Sequence, residues 1–458
     1  MSDFEMRSKT AQAWLDPAEL AGPNWQFRNR SNQVAGLFLG YRDGRAIGSL
    51  DDRPVLTVAA ARSGKGASLI VPNLLLYDGS VLAIDVGGEL ARITAGARRK
   101  KGQKVIVLDP FGVSGLAKGR FNPLDELDMN DPNVNDEAAL LAGALVIRHE
   151  PDPHWTNLAG ELVKALILVT LTLPLQERHL ISVWHLLNAS HPMVVAVARR
   201  AECGPRAALI KMLTAYQSEF GRSIVNVGRI FAAMPEREVA AVVSTAMSQL
   251  AFLDSPRMAS AMQTSDVRLS DLKMDGATLY LCLPAERMVT HARWLRLIVD
   301  QAILAFGRSK TTSDIPALFV LDDFASLGKM QAVEMIGGRL ADAGIRPWYL
   351  VDDLTQLKRV YGHGWESIVG QAGVMTVWSV FDNTTLDYVS HKLGRTADCS
   401  EEKVDPTAGR ALVAPQELAQ MLDRGKRAML VMAAGQAPVI VQRAVYHEDQ
   451  AFAGLFDA

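Results

Sequence analysis

The sequence predicts an α/β protein, a mostly parallel sheet interrupted by an all-helical insertion, and three observations carry that expectation. Short β-branched and aliphatic runs alternate with helical stretches through much of the chain. The alternation stops between about Asp136 and Thr264. Several of the apolar runs end in aspartate, at the carboxyl edge where open α/β sheets bind their ligands.

In chain order, residues 1–40 show no regular pattern and are expected to pack as an N-terminal arm. A first sheet segment, 41–135, holds the runs PVLTVA (54–59), VLAIDV (81–86) and KVIVLD (104–109). Such runs are apolar almost throughout, as strands covered on both faces require. Residues 136–264 then form the insertion. There Leu158, Leu162, Leu166 and Val169 recur at helical spacing, as do Val239, Val242, Val243 and Ala246. Turn-rich loops flank it, NPLDELDMNDPNVND before and LSDLKMDGA after. The second sheet segment, 265–458, holds ATLYLCLP (277–284), ALFVLDD (317–323), RPWYLVDD (346–353), VMTVWSV (374–380) and AMLVMAA (428–434).

Composition narrows the function classes. The 458 residues are 49% hydrophobic and 21% charged, which suits a globular chain with a large core. Lys and Arg (48) nearly balance Asp and Glu (50), so a nucleic-acid role would need a local basic surface. Cys203, Cys282 and Cys399 lack metal spacing and read as reduced thiols, and the 9 histidines form no ligand pattern. No signal peptide opens MSDFEMRSKT. The most apolar stretch, 162–175, includes Lys164 and falls short of the roughly 20 residues a membrane span needs. A soluble, cytoplasmic chain without an intrinsic membrane span is expected.

The segment ARSGKGASLIVP (61–72) joins the first predicted strand to a helical run. A strand, a Gly-Lys loop and a helix together cradle phosphate, because backbone N–H groups and the positive helix end face the anion. Arg62, Ser63, Gly64, Lys65, Gly66 and Ala67 would line such a site. Gly64 would let the backbone approach, and Lys65 would reach the outer phosphates. Two template positions differ: Ala59 stands for the first glycine, and Gly66 for the Ser or Thr that binds Mg²⁺. Ser68 cannot replace the latter, since it points to another helix face. Pro72 is expected to kink or end the helix. On this template alone, a nucleotide loop and an ordinary glycine-rich turn stand level.

A second element shifts the balance. ALFVLDDF is an apolar strand ending in two acids, the form that holds Mg²⁺ opposite a phosphate loop. Asp322 would take the metal and Asp323 would orient the attacking water. The plainer alternative is an aspartate pair capping the next helix.

With those residues in view, the sequence resembles the coupling-protein ATPases of type IV secretion and conjugative DNA transfer, the TraG/TraD family. The resemblance runs from about Gly36 to the C-terminus. Its landmarks are ARSGKG, IDVGGEL (84–90), GQKVIVLDPFG (102–112), FNPLD (121–125) and HWTNLA (154–159). They continue with STAMSQLAFLDSP (244–256), LYLCLP, VLDDFASLGKM (320–330), GIRPWYLVDDLTQL (344–357) and GRTA (394–397). The family loop commonly reads Gly-Lys-Gly, so Gly66 no longer counts against a nucleotide. The resemblance implies a RecA-like P-loop nucleotide-binding domain with an inserted all-α domain, and ATP and Mg²⁺ as cofactors. It implies a homo-oligomer, a hexamer when active, with nucleotide at its subunit interfaces. It also implies a motor that delivers relaxase-bound DNA or effector proteins to a type IV secretion apparatus. Family members usually begin with transmembrane helices, which this sequence does not show. Recruitment to the inner membrane by a partner protein is therefore expected.

Three positions depart from the family pattern. Gly87 stands where Lys usually precedes Gly-Glu, Asp323 where the strand usually ends Asp-Glu, and Asp352 where a Gln usually senses the γ-phosphate. Glu89, Asp323 and Asp352 are the expected catalytic set. The departures keep open a second function, a nucleotide-regulated adaptor that turns ATP over slowly. A metabolic kinase lacks any accompanying small-substrate signature. Arg339 and Arg346 read equally as arginine fingers acting in trans or as structural ion pairs. The basic run ARRKKGQK (97–104) reads first as a solvated loop, then as a polyanion contact in a hexamer pore. Trp155, Trp184 and Trp294 read as core or domain-contact residues.

Overall fold

The computed structural model describes residues 14–148, 153–218, 220–273, 276–309, 313–336, 339–395 and 410–457. Cys399 and the last two residues of GRTA lie outside them. The described residues form an 11-stranded sheet in the order β2-β1-β11-β10-β9-β3-β8-β7-β4-β6-β5. Its parallel block runs from β9 to β5 and contains β3 (Val55–Ala59), β4 (Val81–Val86), β5 (Lys104–Leu108), β6 (Ala277–Leu283), β7 (Ala317–Leu321), β8 (Ile345–Val351) and β9 (Val374–Trp378). Each of these begins and ends within two residues of a predicted apolar run. Burial is nearly complete in all of them except the edge strand β5, which starts exposed, as strands sandwiched between two helical layers demand. One further predicted strand, β10 (Ala428–Ala433), turns out to pair antiparallel with β9.

Three strands extend the sheet beyond the prediction: β1 (Leu37–Arg42), β2 (Arg45–Ser49) and β11 (Val439–Gln442). β1 and β2 form a hairpin closed by Asp43 and Gly44, both with positive φ (50° and 76°). Asp-Gly favours that turn because its twist matches the strands' own. The N-terminal arm thus passes into the sheet, and Trp25 anchors it with 2% exposure.

The helix after the phosphate loop corrects one expectation. Residues Gly66–Ile70 form a π turn, and α1 (Val71–Leu76) continues past Pro72 rather than ending there. In the wider turn the Val71 N–H bonds to the Gly66 carbonyl five residues back, and proline sits in the first turn of α1, where a missing donor is tolerated. The Asn73 amide donates to the carbonyls of Leu69 (2.9 Å) and Phe38 (2.8 Å), which ties α1 to β1.

The basic run is corrected too. Arg98 belongs to α2 (Glu89–Lys100) and is fully buried. Its guanidinium donates to the carbonyls of Leu74 (3.1 Å) and Tyr77 at the C-terminal end of α1, and of Gly79 (2.6 Å) in the loop beyond it. Lys101 caps the same end through the Leu76 carbonyl (2.6 Å) and pairs with Asp78 (2.7 Å). Three of the eight residues, Ala97, Arg98 and Gln103, are therefore buried, while Arg99, Lys100, Lys101 and Lys104 stay exposed.

Between β5 and β6 the described residues contain helices and no strand. The main ones are α3 (Val134–Leu145), α4 (His154–Leu171), α5 (Leu180–Leu187), α6 (Pro192–Arg200), α7 (Pro205–Thr214), α8 (Gly221–Ala233), α9 (Glu236–Leu250) and α10 (Pro256–Ala261). Their apolar core is continuous with one face of the sheet through α11 (Met288–Arg308), which is buried on nearly all sides. Trp184 and Trp294 lie in that core, with Trp155 packed against it. The stretch Leu180–Arg200 has a mean hydropathy of 1.3 and is half buried, but a turn divides it into α5 and α6, and Ala189 there has φ of 58°.

Candidate nucleotide-binding site

β3, β8 and β7 lie side by side, so parallel pairing brings their three C-terminal loops together. Those loops supply Lys65, Asp352 and the pair Asp322-Asp323. Topology alone has therefore assembled a site from segments nearly 300 residues apart in sequence.

The loop after β3 turns on two positive φ values, Arg62 (58°) and Gly64 (86°), either side of Ser63. Alternating φ signs turn successive N–H groups to one side and make a concavity for an anion. Arg62 is exposed, whereas Ser63 is buried and its hydroxyl makes no hydrogen bond with a described residue. A Cβ at Gly66 would meet nothing within 4 Å, so this glycine leaves open space beside Lys65 instead of avoiding a clash. The Lys65 ammonium donates to the Ala59 carbonyl (2.9 Å) and forms an ion pair with Asp352.

Asp352 is held in turn by a residue the sequence reasoning missed. The Gln356 side chain accepts from the Asp352 N–H (3.2 Å) and donates to its carboxylate (3.4 Å). Gln356 is in the first turn of the helix Leu354–Tyr361, four residues beyond Asp352, so helical spacing was the available signal. Asp323 adopts a left-handed conformation (φ 51°) and its carboxylate accepts from the Ser326 hydroxyl (2.6 Å). It caps no backbone group of the following turn, so the capping alternative does not describe it. Among the described residues, Asp322 accepts only from the Asp323 N–H (3.1 Å).

Three carboxylates thus face one ammonium. Burial pushes Asp322 up to about 6, with Lys65 pulling it down and Asp323 and Asp352 pushing it further up. Burial raises Asp323 as well, and the Ser326 hydroxyl opposes that rise. The excess of negative charge suits a divalent cation. No group of three or more His, Cys, Asp or Glu among the described residues could hold a metal by itself. The fit is therefore to an ion carried by one carboxylate plus phosphate and water, the manner of Mg²⁺.

Other predicted residues stand apart. Glu89 is exposed at the first turn of α2 and makes no hydrogen bond with a described residue; its charge bears on Asp85 and Tyr446. Asp85 and Asp109, at strand ends, are spent on backbone: Asp85 accepts from Leu90 (3.1 Å) and Ala91 (2.8 Å), Asp109 from Gly112 (2.7 Å) and Ser114 (2.8 Å). Arg346 cannot act in trans. It is 2% exposed and donates to the carbonyls of Ala35 (2.7 Å) and Leu50 (2.8 Å), neither an ion pair nor a finger. Arg339 is exposed. Also unforeseen were Trp378 and Arg443, both bonded to the Ser63 carbonyl.

With this geometry in place, known proteins can be set beside the chain. Residues 22–455 match the family described as type IV secretory system conjugative DNA transfer. Conjugal transfer protein TraG of Escherichia coli is 30% identical over 383 residues, which cover 79% of this chain and 57% of that protein. Protein VirD4 of Agrobacterium fabrum is 25% identical over 458 residues, covering 94% of this chain and 65% of that protein. The chain thus spans less than two thirds of the length of these relatives. Among solved structures, the plasmid coupling protein TrwB with a non-hydrolysable ATP analogue superposes with a TM-score of 0.65 at 15% identity, over 92% of this chain and 90% of that one. TrwB with ADP and Mg²⁺ gives 0.63 at 15% identity, over 86% and 85%. The fold is that of a RecA-like P-loop domain with an inserted all-α domain, as expected from the sequence.

Proposed function

We propose, on the premise that this chain belongs to the type IV secretory system conjugative DNA transfer family, that it is an ATP-dependent coupling motor. Its cargo is relaxase-bound DNA or effector protein, its destination a type IV secretion apparatus, and its working form a hexamer with nucleotide at the subunit interfaces. The work is divided: 41–135 and 265–458 handle nucleotide, 136–264 meets cargo, and 1–40 braces the sheet. The chain acts in the cytoplasm and reaches the inner membrane through a partner protein.

The observation that carries this reading is the convergence of Lys65, Asp352 and the acid pair Asp322-Asp323 at the ends of three neighbouring strands. Arg62 to Ala67 cradle the phosphates of ATP, with Lys65 on the outer ones. Asp322 holds Mg²⁺, whose charge offsets the phosphates and the carboxylates around them. Asp323 orients water, Asp352 stands near the outer phosphate and Glu89 borders the opening. A second observation concerns cargo. Arg199, Arg200, Arg206, Lys211, Arg222 and Arg229, from α6, α7 and α8, are all exposed and pair with no acid among the described residues. These six cations are the residues that would contact the phosphates of a DNA cargo.

An adaptor with slow turnover is favoured by two contacts, the Lys65–Asp352 pair and the Ser326 bond that occupies Asp323. Steady-state ATPase with and without DNA separates the two readings. DNA-stimulated turnover that Lys65→Ala abolishes supports the motor. ATP binding without DNA-stimulated turnover supports the adaptor.

A further inference from the structure

The roles above name no individual residue of the segment after β11, yet that segment packs against the loop at Lys65. β11 ends at Gln442, and Arg443 turns in beneath residues 63–68 with 4% of its surface exposed. Its Nη1 donates to the Ser63 carbonyl (3.1 Å) and to Ser68 Oγ (3.2 Å). Its Nη2 donates to the Arg424 carbonyl (3.1 Å), and the guanidinium lies 5.3 Å from the centre of the Trp378 ring. Trp378 Nε1 donates to the same Ser63 carbonyl (3.2 Å). Two donors from different strands converge on one oxygen.

The tail then follows the loop outward. The Tyr446 N–H donates to the Ala67 carbonyl (3.1 Å). Asp457 accepts from the Gly96 N–H (2.5 Å) and its own N–H donates to the Ile93 carbonyl (2.8 Å). A Cβ at Gly96 would overlap the Asp457 carboxylate, so the surface of α2 is shaped to receive the tail.

A peptide unit is planar, so holding the Ser63 carbonyl below the loop holds the Gly64 N–H above it. We propose that Arg443 is a positioning residue for the phosphate loop and Trp378 its partner, the two together fixing the Ser63–Gly64 peptide with its N–H toward the nucleotide. The chain's tail is thereby part of the nucleotide site. This inference rests on the nucleotide function proposed above. Electrostatics agrees with it. Arg443 forms no ion pair with a described acid; burial, then Arg427 and Arg424, push it down to about 10. A cation buried behind the loop without a carboxylate partner leaves its field to the anion in front.

The test is calorimetric titration of Mg·ATP into the full chain, four single variants and one double variant, below every melting temperature. The single variants are Lys65→Ala, Arg443→Met, Arg443→Lys and Trp378→Phe. A hydrogen bond from a charged donor corresponds to about tenfold or more in affinity, so Arg443→Met weakens Kd by at least that factor. Arg443→Lys keeps the charge and recovers part of the loss. Trp378→Phe keeps the ring under the guanidinium, drops only the donor, and weakens Kd several-fold. The double variant Arg443→Met/Trp378→Phe loses less than the product, because both donors serve one carbonyl. A purely structural role would lower the melting temperature and leave Kd alone. Wild-type Kd in folded Arg443→Met overturns the inference, and so does wild-type Kd in Trp378→Phe if Arg443→Met fails to fold. If the wild type itself binds no Mg·ATP, the nucleotide function falls and takes the inference with it. Lys65-dependent binding that ignores Arg443 and Trp378 removes the inference alone.

Discussion

Removing the carboxylate that engages Lys65 is expected to tighten ATP binding. In the structure the Lys65 ammonium, proposed to meet the outer phosphates, is paired with Asp352, and Gln356 holds Asp352 in place. A nucleotide must therefore displace or share that contact. Unit charges about 4 Å apart at an effective dielectric of about 20 attract by roughly 4 kcal/mol, an upper bound. The side chains are 14% and 32% exposed, so water screens part of it. Fully exposed pairs are worth about 1 kcal/mol or less. A partly buried pair falls between these limits, at about 1–2 kcal/mol. Asp352→Asn keeps shape and removes charge, and it should lower Kd for Mg·ATP by about 5- to 30-fold. Titration calorimetry at fixed ionic strength reads this directly, with Lys65→Ala/Asp352→Asn as the control in which the gain disappears. Affinity unchanged or weakened in Asp352→Asn would refute the reasoning and make Asp352 a ligand-side residue rather than a competitor.

Other outcomes follow from the same geometry. The reversions Asp323→Glu and Asp352→Gln together should raise kcat in DNA-stimulated assays, because glutamate reaches one methylene further toward the attacking water and a misplacement of about 1 Å can cost about a hundredfold. Asp322 has a folded-state pKa of about 6, above the ordinary 3.8, so the apo chain loses stability as pH rises between those values. Apo melting curves should show this loss in the wild type and not in Asp322→Asn, while Mg²⁺-dependent ATP affinity rises through about pH 6 only where Asp322 is present. Arg346→Met should destabilise the fold by about 2 kcal/mol in chemical denaturation, since the Ala35 and Leu50 carbonyls lose a charged donor. Replacing 136–264 by a linker should preserve ATP binding but expose the apolar face of α11, so the deletion needs polar substitutions on that helix to stay monodisperse in gel filtration.

The strands of the parallel block were legible because burial on both faces makes each an apolar run, and the acids ending β7 were legible because nothing apolar explains them. The hairpin of β1 and β2 was also written locally, in Asp43-Gly44, yet β1 carries Gly40 at a register shift, is buried over only its first four residues, and gains its place in the sheet by pairing with β11 and β2. The bracing of the phosphate loop was not legible. Trp378 closes an apolar strand like any core aromatic, and Arg443 follows another, with no motif to mark either. Only the sheet order, which sets β9 beside β3, puts them under Ser63. The same holds for Arg98. A run of basic residues reads as surface by composition, but helical phase points one of them inward to the open carbonyls of α1.

The account's central claim is that the loop at Lys65 holds a nucleotide phosphate. Thermal unfolding with and without Mg·ATP, in the wild type and in Lys65→Ala, tests it most directly. At a ligand concentration about a hundredfold above Kd, binding to the folded state alone adds about 2.7 kcal/mol, enough to move the melting temperature by several degrees. The wild type should show that rise and Lys65→Ala should lose it, with the apo curve of the variant close to that of the wild type. An equal rise in both proteins, or in neither, would contradict the claim.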